Sequence, residues 1–355
     1  MPRNLYVHFP FCRRKCTYCS LYSRVSESAA ERDEYVESLA KSFDRGQSLK
    51  TGGQASFSRG QTPILGGQSL ETLGGQSLET IYFGGGSPGM CNLVPLLDSL
   101  APYLDSGTEF TVELHPEDVS DSLLRTLKAG GVNRISMGVQ SLEDKILSHM
   151  NRGYTATEAH HAFDLVKKYF DNAGIDLIIG YPGESLFCGD RPSFRGDRPQ
   201  FSGDRPSFSG DRPSFCALSS WGLRHCSVYA LENTRGLKNV PDDDWVMDRL
   251  REVAAELEMM GLYRYEISNY AVPGFECRHN LAVWRGEDYL GLGEGARGRI
   301  GLKRTVGVRS DAKEEAVTPE FDRKERTLFR LRTREGLDAS AFPEWQETLE
   351  RFVNE

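Results

Sequence analysis

Tyr6-Val-His-Phe-Pro-Phe-Cys12-Arg-Arg-Lys-Cys16-Thr-Tyr-Cys19 is the stretch on which the fold turns. The apolar, β-branched and aromatic run over residues 5–9 reads as a strand, and the three cysteines behind it are spaced C-x3-C-x2-C on a tight loop. Three thiolates so placed suit two chemistries. They can hold three irons of a cubane cluster and leave the fourth iron without a protein ligand. With His8 as a fourth donor they can instead build a Cys3His zinc site. A disulfide framework fits less well, because eight cysteines are scattered over 355 residues behind no apolar leader, the usage of a reducing compartment.

A second feature stands downstream. Thr80-Ile-Tyr-Phe-Gly84-Gly85-Gly86-Ser87-Pro88 runs an apolar strand into a triple-glycine turn. Glycines without a β-carbon let backbone groups come close to a ligand, such as the amino-acid part of a cofactor. Around these motifs, short β-branched or aromatic runs alternate with helical patterns, as in repeated β-α units about a parallel sheet. Strands are predicted at residues 5–9, 81–83, 110–114, 134–139, 176–179 and 226–231, and helices around 29–43, 93–103, 120–129 and 157–170. Six strands in this order predict an α/β fold, a partial (β/α)6 barrel open on one side with its ligands at the C-terminal ends of the strands. Both motifs then fall on that face. A core domain over 1–235 and a smaller, truncated C-terminal α/β region over 236–355 are expected. With 39% apolar and 26% charged residues, a net charge of −8 and no apolar run long enough to cross a bilayer, the chain reads as an ordinary cytoplasmic enzyme. Its acidity argues against nonspecific nucleic-acid binding.

Two tandem repeats interrupt the pattern. Leu-Gly-Gly-Gln-Ser-Leu-Glu-Thr is written twice over residues 65–80, behind a looser Gly/Gln/Ser-rich run from Gly46. Four heptads of the form Gly-Asp-Arg-Pro-Ser/Gln-Phe-x begin at Gly189, Gly196, Gly203 and Gly210. Periods this short cannot stack as a solenoid, and a proline every seventh residue removes a helix donor each time. The segments at about 46–79 and 188–216 therefore read as expansions of repeated DNA, with Cys188 and Cys216 as copies of one position rather than a metal pair. The second insertion leaves little chain for the fifth crossover helix, which is expected to be truncated or displaced.

Further motifs join the first two: Glu113-Leu-His-Pro116, Gly131-Val-Asn-Arg-Ile-Ser-Met-Gly-Val-Gln-Ser141, Asp176-Leu-Ile-Ile-Gly-Tyr-Pro-Gly183, Ser227-Val-Tyr-Ala-Leu-Glu232, Tyr265-Glu-Ile-Ser-Asn-Tyr270 and His279-Asn-Leu-Ala-Val-Trp284. Together they resemble the radical S-adenosylmethionine (SAM) superfamily, and within it the oxygen-independent coproporphyrinogen III oxidase-like family in its heme chaperone branch. The resemblance covers residues 5 to about 297 outside the repeats. It implies that Cys12, Cys16 and Cys19 ligate a 4Fe-4S cluster with Tyr6 and Tyr18 beside it. It implies that Gly85, Gly86 and Ser87 meet the methionine part of SAM, and that Glu113, Gln140, Arg152, Asp176 and Ala230 line the rest of that site. The residue types suit the ligand, since an ammonium matches Glu113, a carboxylate Arg152 and ribose hydroxyls Asp176. Without the resemblance, Gln140 and Asp176 read as turn or capping residues and Arg152 as a solvated charge. The resemblance also implies SAM docked on the vacant iron and a strongly reducing cluster that passes an electron to the sulfonium. The implied partners are a flavodoxin- or ferredoxin-like electron donor and a protein that accepts heme.

His279, in the branch's His-Asn-x-x-Tyr-Trp motif, is the heme ligand that the resemblance implies, while a lone histidine reads equally as a hydrogen-bonded structural residue. Two other functions stay open, a coproporphyrinogen III dehydrogenase that forms vinyl groups from propionates and a zinc-stabilised binding module. The dehydrogenases carry an extra N-terminal segment for which a motif starting at residue 6 leaves no room, so the chaperone is the expectation. The chain departs from the branch at Val283 (tyrosine), Ser87 (threonine), His115 (asparagine or aspartate), Tyr181 (leucine) and Arg297 (histidine). Past Arg297 the resemblance thins to Thr327-Leu-Phe-Arg-Leu-Arg-Thr-Arg-Glu-Gly-Leu-Asp338.

Overall fold

The computed structural model describes residues 2–48, 76–184, 216–308, 311–337 and 351. The N-terminal part runs β1 (Asn4–Phe9), β2 (Phe11–Cys12), β3 (Arg24–Val25), α1 (Ala29–Ser48), β4 (Thr80–Gly85), α2 (Val94–Leu100), β5 (Glu109–Leu114), α3 (Asp121–Ala129) and β6 (Arg134–Gln140). It continues with α4 (Asp144–His149), α5 (Ala156–Lys167), β7 (Asn172–Ile179), α6 (Cys216–Ser219) and β8 (His225–Ala230). The remainder holds α7 (Asp243–Met259), β9 (Tyr263–Arg264), β10 (Asn269–Ala271), α8 (Arg278–Trp284), β11 (Tyr289–Leu292), β12 (Arg297–Ile300), β13 (Lys303–Val308), β14 (Asp311–Ala316) and α9 (Pro319–Arg330).

The strands β1-β4-β5-β6-β7-β8 pair in that order, every pair parallel. This is the partial α/β barrel expected from the sequence. Leu5, Val7 and Phe9 of β1, Ile81 and Phe83 of β4 and Phe110 and Val112 of β5 are fully buried, the state of parallel strands covered on both faces. Helix starts follow side-chain chemistry: Ser120 caps α3, and Thr155 with Glu158 forms a capping box on α5. The short α4 was not foreseen, because six residues carry too little periodicity to detect.

The sheet continues beyond six strands. β11 joins β1 in parallel and carries β12, β13 and β14 antiparallel outside it, while β10 and β9 add antiparallel to β8. Residues past 235 therefore extend the same sheet at both edges. The first turn of α8 packs under the N-terminal ends of β4 and β5, with bonds to Thr80 and Glu109.

Residues 49–75 and 185–215, including Cys188, lie outside the described residues. The end of the first repeat lies inside the fold, although the sequence alone had placed all of 46–79 in an insertion. Leu78 is buried and its N–H donates to Tyr103 O (2.8 Å), and Glu79 pairs with Arg3 (2.5 Å). The fifth crossover enters the described residues in α6 (Cys216–Ser219), and the expected truncation of its helix lies outside them. Behind it Trp221, 3% exposed, packs on Phe163 (5.5 Å between ring centroids) and on His160 (4.8 Å). Trp221 thus forms part of the seam between α5 and the connection that leads into β8. Trp221→Ala is expected to destabilise the protein by about 3–5 kcal/mol in urea unfolding; a change under about 1 kcal/mol would mean that the seam is closed by other contacts.

Candidate functional site

The cysteine loop and the glycine turn meet because β1 and β4 are paired neighbours running the same way. Gly86 N–H donates to Phe9 O (2.6 Å) and Ser87 N–H to Phe11 O (2.7 Å), which fastens the turn to the start of the loop. A β-carbon on Gly86 would stand 2.4 Å from Phe11 O, and one on Gly85, whose φ is +107°, would stand 2.5 Å from the His8 ring. These two glycines are therefore required first by the contact between turn and loop. The Ser87 hydroxyl is buried and donates to Asp118, which also binds Arg13 (2.7 Å), so of Ser87 only the backbone borders the site.

Cys12, Cys16 and Cys19 are free and partly exposed, and burial pushes the Cys12 thiol up. The loop is held from below: Thr17 N–H donates to Met150 O (3.3 Å), and Asn151 Nδ2 donates to Lys15 O (2.9 Å). Arg152 bridges loop and barrel, donating to Cys16 Sγ (3.2 Å), Tyr154 Oη (2.7 Å) and Gly138 O. Burial opposes its charge, and Tyr18, Tyr154 and Cys16 around it more than offset that. Three sulfurs on one loop are the donor set that a cubane with one open iron asks for. A Cys3His zinc centre fits worse, since both His8 nitrogens are engaged, Nδ1 with Tyr6 Oη (3.0 Å) and Nε2 with Tyr22 O (2.7 Å). Among the described residues no three His, Cys, Asp or Glu side chains gather around a point as one ion requires.

Of the other residues named from sequence, Tyr6 and Glu113 border the cavity inside the barrel, and Gln140, Asp176 and Ala230 lie on β6, β7 and β8. Glu113 accepts from Tyr82 Oη (2.8 Å) and Gly85 N–H (3.2 Å); burial and then the Asp176 carboxylate raise its pKa to about 7. Burial also raises Asp176, which accepts from Ser136 Oγ (3.1 Å). Two buried carboxyl groups with raised pKa values favour a cationic or hydroxyl-bearing ligand between them. Gln140 sits at a register shift in β6 with φ +72°, a strained conformation that turns its side chain over Gly138 toward Arg152. Tyr18 packs with Ile146, Met150 and Tyr181, and Ala230 is exposed at the end of β8.

His279 stands at the opposite end of the barrel, beside the first residues of β4 and β5. Its backbone lies there, while its ring reaches inward to within 6.4 Å of the Tyr6 ring, which is bonded through His8 to Tyr22 of the cysteine loop's continuation. Its protonation state follows from a chain of bonds. Asn4 Nδ2 faces the acceptors Glu287 Oε2 (3.4 Å) and Asp288 O (3.2 Å), so Asn4 Oδ1 accepts from Thr80 Oγ1 (2.8 Å). With its proton committed to Asn4, Thr80 Oγ1 accepts from His279 Nδ1–H (2.8 Å). Burial, with Arg134 nearby, pushes the His279 pKa down to about 3, so the ring is neutral and Nε2 keeps its lone pair. The ring lies between Tyr6 and Tyr82 and borders a cavity of about 690 Å³ that reaches up to Ser20, Leu21 and Tyr22 behind the cysteines.

The sequence profile of the radical SAM superfamily matches residues 6–187. Heme chaperone HemW of Lactococcus lactis is 31% identical over 305 residues, covering 84% of this chain and 70% of the relative. The chain belongs to the radical SAM superfamily and, within it, to the HemW family. HemW of Bacillus subtilis is 29% identical (86% of this chain, 73% of the relative), and HemW of Escherichia coli is 29% identical (84% and 70%). In structure, coproporphyrinogen III oxidase HemN of Escherichia coli, a radical SAM enzyme, superposes with a TM-score of 0.67 at 19% identity, covering 98% of this chain and 78% of HemN. That likeness establishes the shared fold. No helix among the described residues is long and apolar enough to cross a membrane.

Within this HemW-family chain, sequence reasoning missed Asn4, Thr80, Glu109 and Arg134. All four are buried polar residues at strand starts, where nothing in the local pattern separates a functional side chain from a structural one. Glu109 accepts from the backbone N–H groups of Arg278 and His279 (both 2.9 Å), which fixes the first turn of α8. The turn-to-loop contact is testable: Gly86→Ala is expected to lower stability by about 1–3 kcal/mol in urea unfolding and to reduce iron uptake by the cysteine loop, counted after anaerobic reconstitution. Unchanged stability and iron content would show that the contact is dispensable.

Proposed function

We propose that this protein is a heme chaperone that binds heme through His279 Nε2 and passes it to an acceptor protein in the cytoplasm. A 4Fe-4S cluster held by Cys12, Cys16 and Cys19 and SAM bound at the glycine turn would accompany that role, with a flavodoxin- or ferredoxin-like protein as electron donor. When bound, the cluster supplies one electron to SAM. Glu113 and Asp176 would receive the ammonium and ribose hydroxyls of SAM, Gln140 and Ala230 would border it, and Arg152 would tie the cluster loop to β6.

The observation that carries the reading is the chain of bonds from His279 Nδ1 to Thr80 and on to Asn4, with His279 bordering a large aromatic-lined cavity. A histidine whose far nitrogen is hydrogen-bonded and whose near nitrogen is unprotonated is prepared to ligate iron. The relatives named as heme chaperones support the same reading.

Titration of ferric heme into the reconstituted protein is expected to give a Soret band that His279→Ala abolishes or weakens at least tenfold. Thr80→Val, which removes the acceptor that fixes the tautomer, is expected to weaken binding about tenfold, the usual effect of losing a partner behind a metal-bound histidine. Equal binding by His279→Ala would refute the assignment. Because the His279 pKa lies near 3 rather than at the ordinary 6.5, the ligation spectrum is expected to hold as pH falls from 8 to 5. Loss of the band with a midpoint near 6.5 would contradict a buried neutral ring. Vinyl formation from coproporphyrinogen by the reconstituted protein would favour the dehydrogenase instead.

A further inference from the structure

Three donor groups at the heme cavity have no role in the assignment above. Arg297, the first residue of β12, is exposed and borders the cavity, and its side chain has neither an ion pair nor a hydrogen bond among the described residues. Its neighbours on the β12–β13 hairpin differ sharply: Arg299 and Arg304 each bind both Asp322 (2.6 and 2.5 Å) and Glu325 (3.3 and 2.6 Å). Trp284 and Arg332 border the same cavity with the Arg332 guanidinium over the Trp284 ring (4.4 Å), and their Nε1 and Nε atoms are buried without a hydrogen bond.

Neither acid of the cavity forms an ion pair with Arg297. Glu113 is bonded to Tyr82 and Gly85, and Glu266 accepts from Ser268 N–H (3.0 Å) and Asn269 through Oε1, with Arg332 as its nearby cation and Oε2 left without a hydrogen bond. Backbone pairing sets the height of Arg297. Gly291 of β11 is level with Tyr6, a β-carbon on Gly291 would touch Arg297 O, and the Tyr6 ring stacks on His279. An unpaired guanidinium therefore stands beside the wall on which the ligating histidine is stacked.

We propose that Arg297 binds a propionate carboxylate of the tetrapyrrole, fixing the rotation of the ring about the His279–iron axis and selecting porphyrins with free propionates. The proposal rests on the heme reading above and adds a specificity residue to it. A guanidinium offers a carboxylate two parallel N–H bonds, and an otherwise unpaired one has no competing partner to release.

The test is a Soret titration of ferric protoporphyrin IX and of its dimethyl ester, in the same detergent, against wild type, Arg297→Gln and Arg297→Lys. Wild type is expected to bind the diacid about tenfold more tightly relative to the ester than Arg297→Gln does, with partial recovery in Arg297→Lys. The Soret position should be the same in all three, because His279 is untouched. If Arg297→Gln binds both porphyrins as wild type does, the proposal falls while the heme reading stands. If no form binds heme, both fall. SAM affinity of Arg297→Gln, measured by equilibrium dialysis, is expected to match wild type; a loss there with heme binding intact would assign the carboxylate to SAM and overturn the proposal.

Discussion

The parallel pairing of β1 with β4 is the constraint on which the rest of this structure depends. Six residue pairs hold the two strands in register, from Asn4 with Thr80 to Phe9 with Gly85. At the upper end the pairing delivers the cysteine loop and the triglycine turn to one edge, where backbone bonds and two missing β-carbons bring them into contact. At the lower end it sets Asn4 beside Thr80, and that neighbourly bond decides which nitrogen of His279 carries the proton. The two ends of one strand pair thus contribute to the same cavity, lined by Tyr6, Tyr82, Glu113 and His279.

Buried charge is arranged along the same axis. Arg134, fully buried at the start of β6, lies within electrostatic reach of Glu113, Asp176, Cys277 and His279. It offsets part of the cost of burying the two carboxyl groups above it and disfavours a proton on the imidazole below it. One cation therefore favours an anionic upper site and a neutral lower one. A barrel interior with polar side chains along its length is less stable than an apolar one, and here that polarity coincides with the residues that face the cavity.

The fold was legible in the sequence to a large degree, and for a definite reason. Strands covered on both faces are rich in apolar and aromatic residues, so all six barrel strands stand out even with polar side chains turned into the barrel, and four of the helices between them announce themselves by periodicity or caps. What stayed hidden was short or borrowed. α4 is too brief for a period, β9–β14 are two to six residues long, and β11 becomes a strand by pairing with β1, which comes some 280 residues earlier. The end of the first repeat was misjudged because a duplicated sequence looks the same whether or not the fold uses it. Leu78 is in the core only because β4 needs a lead-in there.

Cysteine spacing, a run of glycines and the scattered motifs were enough to determine, from sequence by itself, the superfamily and the barrel. These are properties of short, contiguous segments, where chemistry requires particular residues at particular separations. The tertiary structure alone decided that both His8 nitrogens are engaged, that Arg152 reaches a cysteine, that His279 Nδ1 is bonded to Thr80, and that the Arg297 side chain has no hydrogen bond or ion pair among the described residues. Each of those depends on atoms far apart in the chain, and the state of a proton or a charge is set by what surrounds it in space.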